Sequence, residues 1–271
     1  MRDPGGGKNL DETDPAARRA FERSGEVLEM PIRRLCFEGP VEELNRTDII
    51  QPCVMTVSWA AYEVWRESYG LESVEVTAGH SLGEIAALAA AGSIPWETAL
   101  QVVKERGRIM AQAADEQPGG MIAIVDLNEE QVEAVRAGAS KKGQLWVANR
   151  NADVQFVLSG EVAAVQEAER LALAAGARRA LILTIPLPAH TPLMEKAAAA
   201  FRKVVDKLPL KSPSIPTLTN ATGKPLRTVA RRQGELRPQT RRQSGWTRRV
   251  AEAAATLEGA QGGARRGVRK G

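Results

Sequence analysis

The chain has 271 residues, enough to bury one sizeable core or one domain carrying a smaller insertion. Two cysteines, Cys36 and Cys53, exclude a disulfide framework, no residues have zinc-ligand spacing, and no apolar run is long enough to span a membrane. The net charge of +4 is misleading, because residues 227–271 hold eleven Arg and one Lys against three Glu, leaving the other 226 residues at −5. A nucleic-acid role would rest on that tail alone, and Trp246 is its only aromatic residue, so no stacking platform exists there. With 4% aromatic residues the core must be mostly aliphatic, and without a secretory segment the expected setting is reducing and cytoplasmic.

Residues 1–9 carry no strand or helix pattern. Asp14 to Val27 reads as an amphipathic helix with Asp14 as N-cap and Pro15 at its first position. A second helix follows Gly39-Pro40, Thr47-Asp48 could cap a third, and Val54 to Tyr69 is a long apolar helix ending at Gly70. The β-branched run Val74–Ala78 reads as a strand, and the Ala/Leu-rich run after Gly83 reads as a helix. A helix from about Pro95 to Ala114 contains Arg106. After Gly119-Gly120 come a strand (121–125), a helix (128–137), strands at 144–149 and 155–159, a helix (161–175) and a strand (179–185). That β-α-β-β-α-β order predicts a ferredoxin-like unit inserted into a larger domain. The chain then returns through Pro188-Ala189-His190, a helix over 193–208 and a strand around 215–219. Beyond Leu226, Arg, Gly, Ala and Gln dominate, which predicts disorder or at best a weak helix near 250–257.

Gly79-His80-Ser81-Leu82-Gly83 is a G-x-S-x-G sequence set between the strand and helix patterns, the context of a nucleophile elbow. A sharp turn there exposes a serine hydroxyl at a helix N-terminus, where N–H groups favour developing negative charge. Glycines two residues before and after the serine would let neighbouring backbone approach closely. The chain has two histidines. His80, adjacent to Ser81, should project away from the hydroxyl, so His190, in a loop returning from the insertion, is the base that pairs with Ser81 for covalent acyl chemistry. Arg106 is either a surface arginine or a guanidinium fork for a substrate carboxylate, and spacing does not decide between them.

These stretches resemble the malonyl-CoA:acyl carrier protein transacylase family of fatty-acid and polyketide synthesis. The resemblance runs in order through Cys36-Phe37-Glu38-Gly39-Pro40, Thr47 to Pro52, Gly79 to Glu84, Glu105-Arg106-Gly107, Gly119-Gly120-Met121, Ala148-Asn149-Arg150-Asn151, Pro188-Ala189-His190 and Thr219 to Gly223. It implies an α/β fold, with a hydrolase-like parallel-sheet domain (1–118 and 189–226) and a ferredoxin-like insertion (119–188). It implies that Ser81 takes a malonyl group from malonyl-CoA, with His190 accepting its proton and then activating the phosphopantetheine thiol of acyl carrier protein. It further implies Arg106 on the malonyl carboxylate, the backbone N–H of Leu82 in the oxyanion hole, and Gln51 and Asn151 near the pocket. No metal or cofactor is implied beyond the coenzyme A thioester substrate, and no partner beyond carrier protein, for a monomer acting without membrane or nucleic acid.

Two places depart from the resemblance. The family's opening strand and Gly-Gln-Gly-Ser-Gln loop have no counterpart in Met1 to Gly7, and little after Leu226 matches apart from an echo near Trp246. The expectation is a chain truncated at its start and frame-shifted near Leu226. Two other readings compete. A serine esterase or thioesterase would want Asp126 or Asp153 as triad acid, and an impaired remnant would bind carrier protein without forming an acyl-serine.

Overall fold

The computed structural model describes residues 4–220, 224–226 and 244–245. Its helical body opens with α1 (Lys8–Thr13), where the sequence pattern gave none, and α2 (Pro15–Leu28). The Asp14 carboxylate accepts from Ala16 N at 2.8 Å, as an N-cap before Pro15 should. A short α3 (Ile32–Phe37) follows, too brief for periodicity to reveal, then α4 (Val41–Leu44) after Gly39-Pro40.

The expected cap at Thr47-Asp48 and the expected helix from Val54 are one element. It is α5 (Thr47–Tyr69), 23 residues long with Pro52 inside it. Proline removes one ladder donor there, and the helix survives because the loss falls near its start, where tertiary packing holds it. Gly70, at φ 70°, ends α5 with its N–H on Arg66 O. Next come α6 (Gly83–Ala90) and α7 (Trp96–Glu116). Phe21, Leu28, Met55, Leu88 and Leu100 are fully buried between these helices, with Phe201 of a later helix among them.

A sheet follows, built from β1 (Gly120–Val125), β2 (Leu145–Ala152), β3 (Gln155–Gly160) and β4 (Arg179–Ile182). Helices α8 (Glu129–Ala139) and α9 (Val162–Ala174) connect them. Asn128 caps α8 through a reciprocal capping box with Gln131. The strands pair antiparallel in the order β4-β1-β3-β2, so β1 lies between β4 and β3. Period-2 alternation gives the sheet two jobs. Ile122, Ile124, Phe156 and Leu158 face α8 and α9 in a core of their own, while Met121 and Val157 join the core of the helical body.

After the sheet, α10 (Glu195–Val205) packs on α7, and β5 (Thr217–Leu218) pairs with β6 (Pro225–Leu226). β7 (Ser244–Gly245) lies parallel to β2 at Asn149 and Arg150. The strand expected over Val74–Ala78 is reduced, among the described residues, to one parallel bridge between Thr77 and Thr217. Its described backbone bonds run to residues 216–218, with Thr77 N on Pro216 O and Leu218 N on Thr77 O. The expected tail helix near 250–257 and the expected disorder after Leu226 fall outside the described residues, β7 apart.

Candidate active site

Ser81 sits at φ 52°, in the left-handed region that an L-residue enters at a cost of about 1–3 kcal/mol. The turn is closed by Gly83 N on His80 O at 2.9 Å and Glu84 N on Ser81 O at 3.1 Å, after which α6 begins. This is the serine turn into a helix that the sequence pattern predicts, with Leu82 as the residue entering the helix and a single bridge at Thr77 in place of the expected strand.

The two glycines do different work. A Cβ on Gly79 would collide with the carbonyl of Gly83 and with Glu84 N, whereas a Cβ on Gly83 would meet no atom within 4 Å. The expectation of close approach therefore holds for Gly79 and is corrected for Gly83, which is helical and open. Gly79→Ala is expected to break the elbow and abolish Ser81 acylation. Gly83→Ala should leave acylation intact and raise stability by about 0.4–1 kcal/mol through a less flexible unfolded chain. Thermal melts with parallel active-site labelling check both.

His190 lies 7% exposed in the loop beyond β4, at φ 62°, and its Nε2 is 3.1 Å from Ser81 Oγ. The two residues are 109 positions apart in sequence. Arg106, 2% exposed on α7, donates from Nη2 to Ser81 Oγ at 3.0 Å and from Nη1 to Gln51 Oε1. Gln51 in turn donates from Nε2 to Met110 Sδ at 3.4 Å, so one α5 side chain fixes the guanidinium against α7. Burial pulls the Arg106 guanidinium down to about 10, and the Glu84 carboxylate partly opposes that shift. The group remains a cation at neutral pH, held beside Ser81 where an anionic ligand group would repay its lost hydration.

These side chains open on a cavity of about 270 Å³ between the helical body and the sheet. Its walls are mostly aliphatic (Ile50, Val54, Met110, Met121, Val157, Leu183, Ile185 and Leu187), with Ser81, His190, Arg106, Gln51, Leu82, His80 and Asn149 as the functional lining. β4 ends at Ile182 instead of the expected Ile185, and the freed stretch supplies Leu183, Ile185 and Leu187 to this wall. His80 does not stay apart from the site. Its ring lines the cavity, 6.5 Å from the His190 ring, and its Nε2 meets Asn149 Nδ2 at 3.2 Å.

Asn151 is absent from the cavity lining, and Asn149 is part of it. β2 slips register against β3 between Val147 and Asn149 and again between Arg150 and Ala152, so position 151 falls in a bulge. Simple alternation cannot anticipate that. Asp126 forms a surface ion pair with Arg178 at 2.6 Å, and neither it nor Asp153 lines the cavity, so the triad acid of an esterase is not supplied by those two residues. Among the described residues no group of His, Cys, Asp or Glu is arranged to hold a metal ion, and no helix is long and apolar enough to cross a membrane.

The acyl transferase domain model matches residues 3–253, across the elbow, the cavity and beyond Leu226. The chain belongs to the acyl transferase family. The malonyl CoA-acyl carrier protein transacylase of Bacillus subtilis is 38% identical over 219 residues, covering 80% of this chain and 68% of the relative. The protein of the same name in Escherichia coli K12 is 34% identical over 206 residues, covering 76% of this chain and 66% of the relative. The chain thus spans about two thirds of the length of these curated relatives. Among solved structures, an acyl carrier protein S-malonyltransferase of Vibrio cholerae superposes with a TM-score of 0.84 at 34% identity, covering 94% of this chain and 83% of that one. A malonyl-transacylase solved in complex with a type II polyketide acyl-carrier protein superposes with a TM-score of 0.87 at 31% identity, covering 94% and 82%. Ser81, His190 and Arg106 are the side chains that meet in this cavity.

Proposed function

We propose that this acyl transferase is an [acyl-carrier-protein] S-malonyltransferase, moving a malonyl group from malonyl-CoA to the phosphopantetheine thiol of an acyl carrier protein. The observation that carries the reading is Arg106. A fully buried guanidinium 3.0 Å from the nucleophile's Oγ suits an acyl group that ends in a carboxylate and penalises a neutral one. The named relatives support the same substrate pair.

In the first half-reaction Ser81 Oγ attacks the thioester carbonyl while its proton passes to His190 Nε2. The carbon–sulfur bond then breaks and the proton leaves with the coenzyme A thiol, giving a malonyl ester of Ser81. The Leu82 N–H donates to the oxyanion at the helix start, and the Arg106 fork turns from Ser81 Oγ to the malonyl carboxylate, steadied by Gln51. In the second half-reaction the carrier thiol gives its proton to His190 and attacks the ester, and Ser81 leaves with that proton.

The architecture is read as a hydrolase-like body, residues 1–118 and 189–226, interrupted by a ferredoxin-like unit at 119–188. The separate apolar core beneath α8 and α9 and the β4-β1-β3-β2 order support that division. A carrier thiol should discharge the malonyl-enzyme much faster than water does, measured as malonyl-carrier formation against free malonate. Release of malonate outpacing transfer would instead favour a thioesterase.

A further inference from the structure

The elbow is held from a distance by one side chain. Asn220, nine-tenths buried beyond β5, accepts from Ser81 N at 3.0 Å through Oδ1 and donates from Nδ2 to Gly79 O at 2.7 Å. Its own backbone N–H donates to Glu84 Oε1 at 3.0 Å. The strand it leaves is tied to the start of the same elbow, with Thr77 N on Pro216 O and Leu218 N on Thr77 O, each at 2.8 Å.

Ser81 precedes α6, so its N–H has no partner in that helix's ladder, and Gly79 likewise leaves a carbonyl in the turn. Burial of either without a partner would cost about 1–3 kcal/mol. A primary amide is the side chain that supplies an acceptor and a donor side by side. We infer that Asn220 is a positioning residue for the nucleophile, clamping the residues either side of His80 so that Ser81 Oγ stays between His190 and Arg106. The inference rests on Ser81 being the nucleophile of the proposed reaction. It assigns no contact between Asn220 and substrate.

The test compares the parent with Asn220→Ala, Asn220→Asp and, as a control from the same segment, Ser214→Ala, whose Oγ bonds Ala91 O away from the elbow. Each protein is assayed for malonylation of Ser81 and, separately, for labelling by a fluorophosphonate that needs no acyl-pocket recognition. Asn220→Ala should slow both reactions about 100-fold, as expected when a nucleophile drifts from its reacting geometry, with KM and the malonyl-over-acetyl preference unchanged. Ser214→Ala should match the parent. Asn220→Asp keeps the acceptor but sets a carboxylate against the Gly79 carbonyl. The titratable groups around it are Glu84 on α6 and, through Ser81, His190 and Arg106. Protonation restores a donor, so the rate of Asn220→Asp relative to the parent should climb as pH falls. That ratio decides the matter even where Asn220→Ala does not fold. Parent-like rates for Asn220→Ala, or a flat ratio for Asn220→Asp, would overturn the clamp. A parent that takes the fluorophosphonate at Ser81 but not malonyl would sink the proposed activity while leaving the clamp testable.

Discussion

His190→Ala is expected to slow malonylation of Ser81 by about 10³–10⁴-fold with little change in KM for malonyl-CoA. General-base assistance is worth roughly 10²–10⁴ in rate, and the whole of it is lost when the acceptor of the Ser81 proton is removed. The 3.1 Å contact between Nε2 and Oγ places that loss in the chemical step. Single-turnover kinetics separate the two parameters. A rise in KM at unchanged acylation rate would make His190 a binding residue and would pass the base role to His80, whose ring lines the same cavity. Fold integrity is a small concern for this variant. The residue is held in the left-handed region, so truncation removes a ring but leaves a backbone already shaped by Thr191 Oγ1 on Pro188 O at 2.6 Å.

Arg106→Ala should lower kcat/KM for malonyl-CoA by about 10²–10³-fold and remove most of the discrimination against acetyl-CoA. A buried carboxylate deprived of its guanidinium loses charge-assisted hydrogen bonds worth about 1.5–3 kcal/mol each and stays dehydrated, whereas an acetyl group loses nothing. Arg106→Lys should recover little, because a point charge cannot reproduce the fork shared by Gln51 and the substrate. The pH dependence has a definite sign. The folded value, near 10, lies below the ordinary arginine value of 12.5 because burial disfavours the cation. Arg106 therefore bears its buried charge at every pH below about 10, and that burial costs stability there. The cost lifts as pH rises through the folded value. Malonyl preference should accordingly be flat through neutral pH and fade only above about 10, measured as the ratio of malonyl to acetyl adduct. A preference that fades near neutrality would mean that another group reads the carboxylate.

The residues most legible in sequence were those whose chemistry depends on local backbone. Gly79 to Gly83 announces its turn because a β-branched run precedes it and an Ala/Leu run follows, and Ser81 adopts the strained φ that such a turn demands. His190 followed from scarcity, since two histidines leave few candidates. Arg106 was ambiguous because its role depends on which way a helix faces, and burial against α5 is a tertiary fact. Asn220 stayed unassigned for a related reason. Its amide meets Ser81 across 139 residues, and no periodicity records such a contact. That Asn149 and not Asn151 lines the cavity is not legible in sequence, because two bulges in β2 displace the strand's facing residues in a way that polar composition does not encode. Strand β1 and helices α2, α8 and α9 are legible to within a residue or two. Pro52 argued for a helix boundary that the packing of α5 overrides.

The measurement that bears most directly on the account is the intact mass of the purified chain after brief incubation with malonyl-CoA, run beside Ser81→Ala. The account requires one malonyl group on the parent, mapped to the peptide holding Ser81, and none on Ser81→Ala. An unmodified, folded parent, or an adduct that persists in Ser81→Ala, would contradict it.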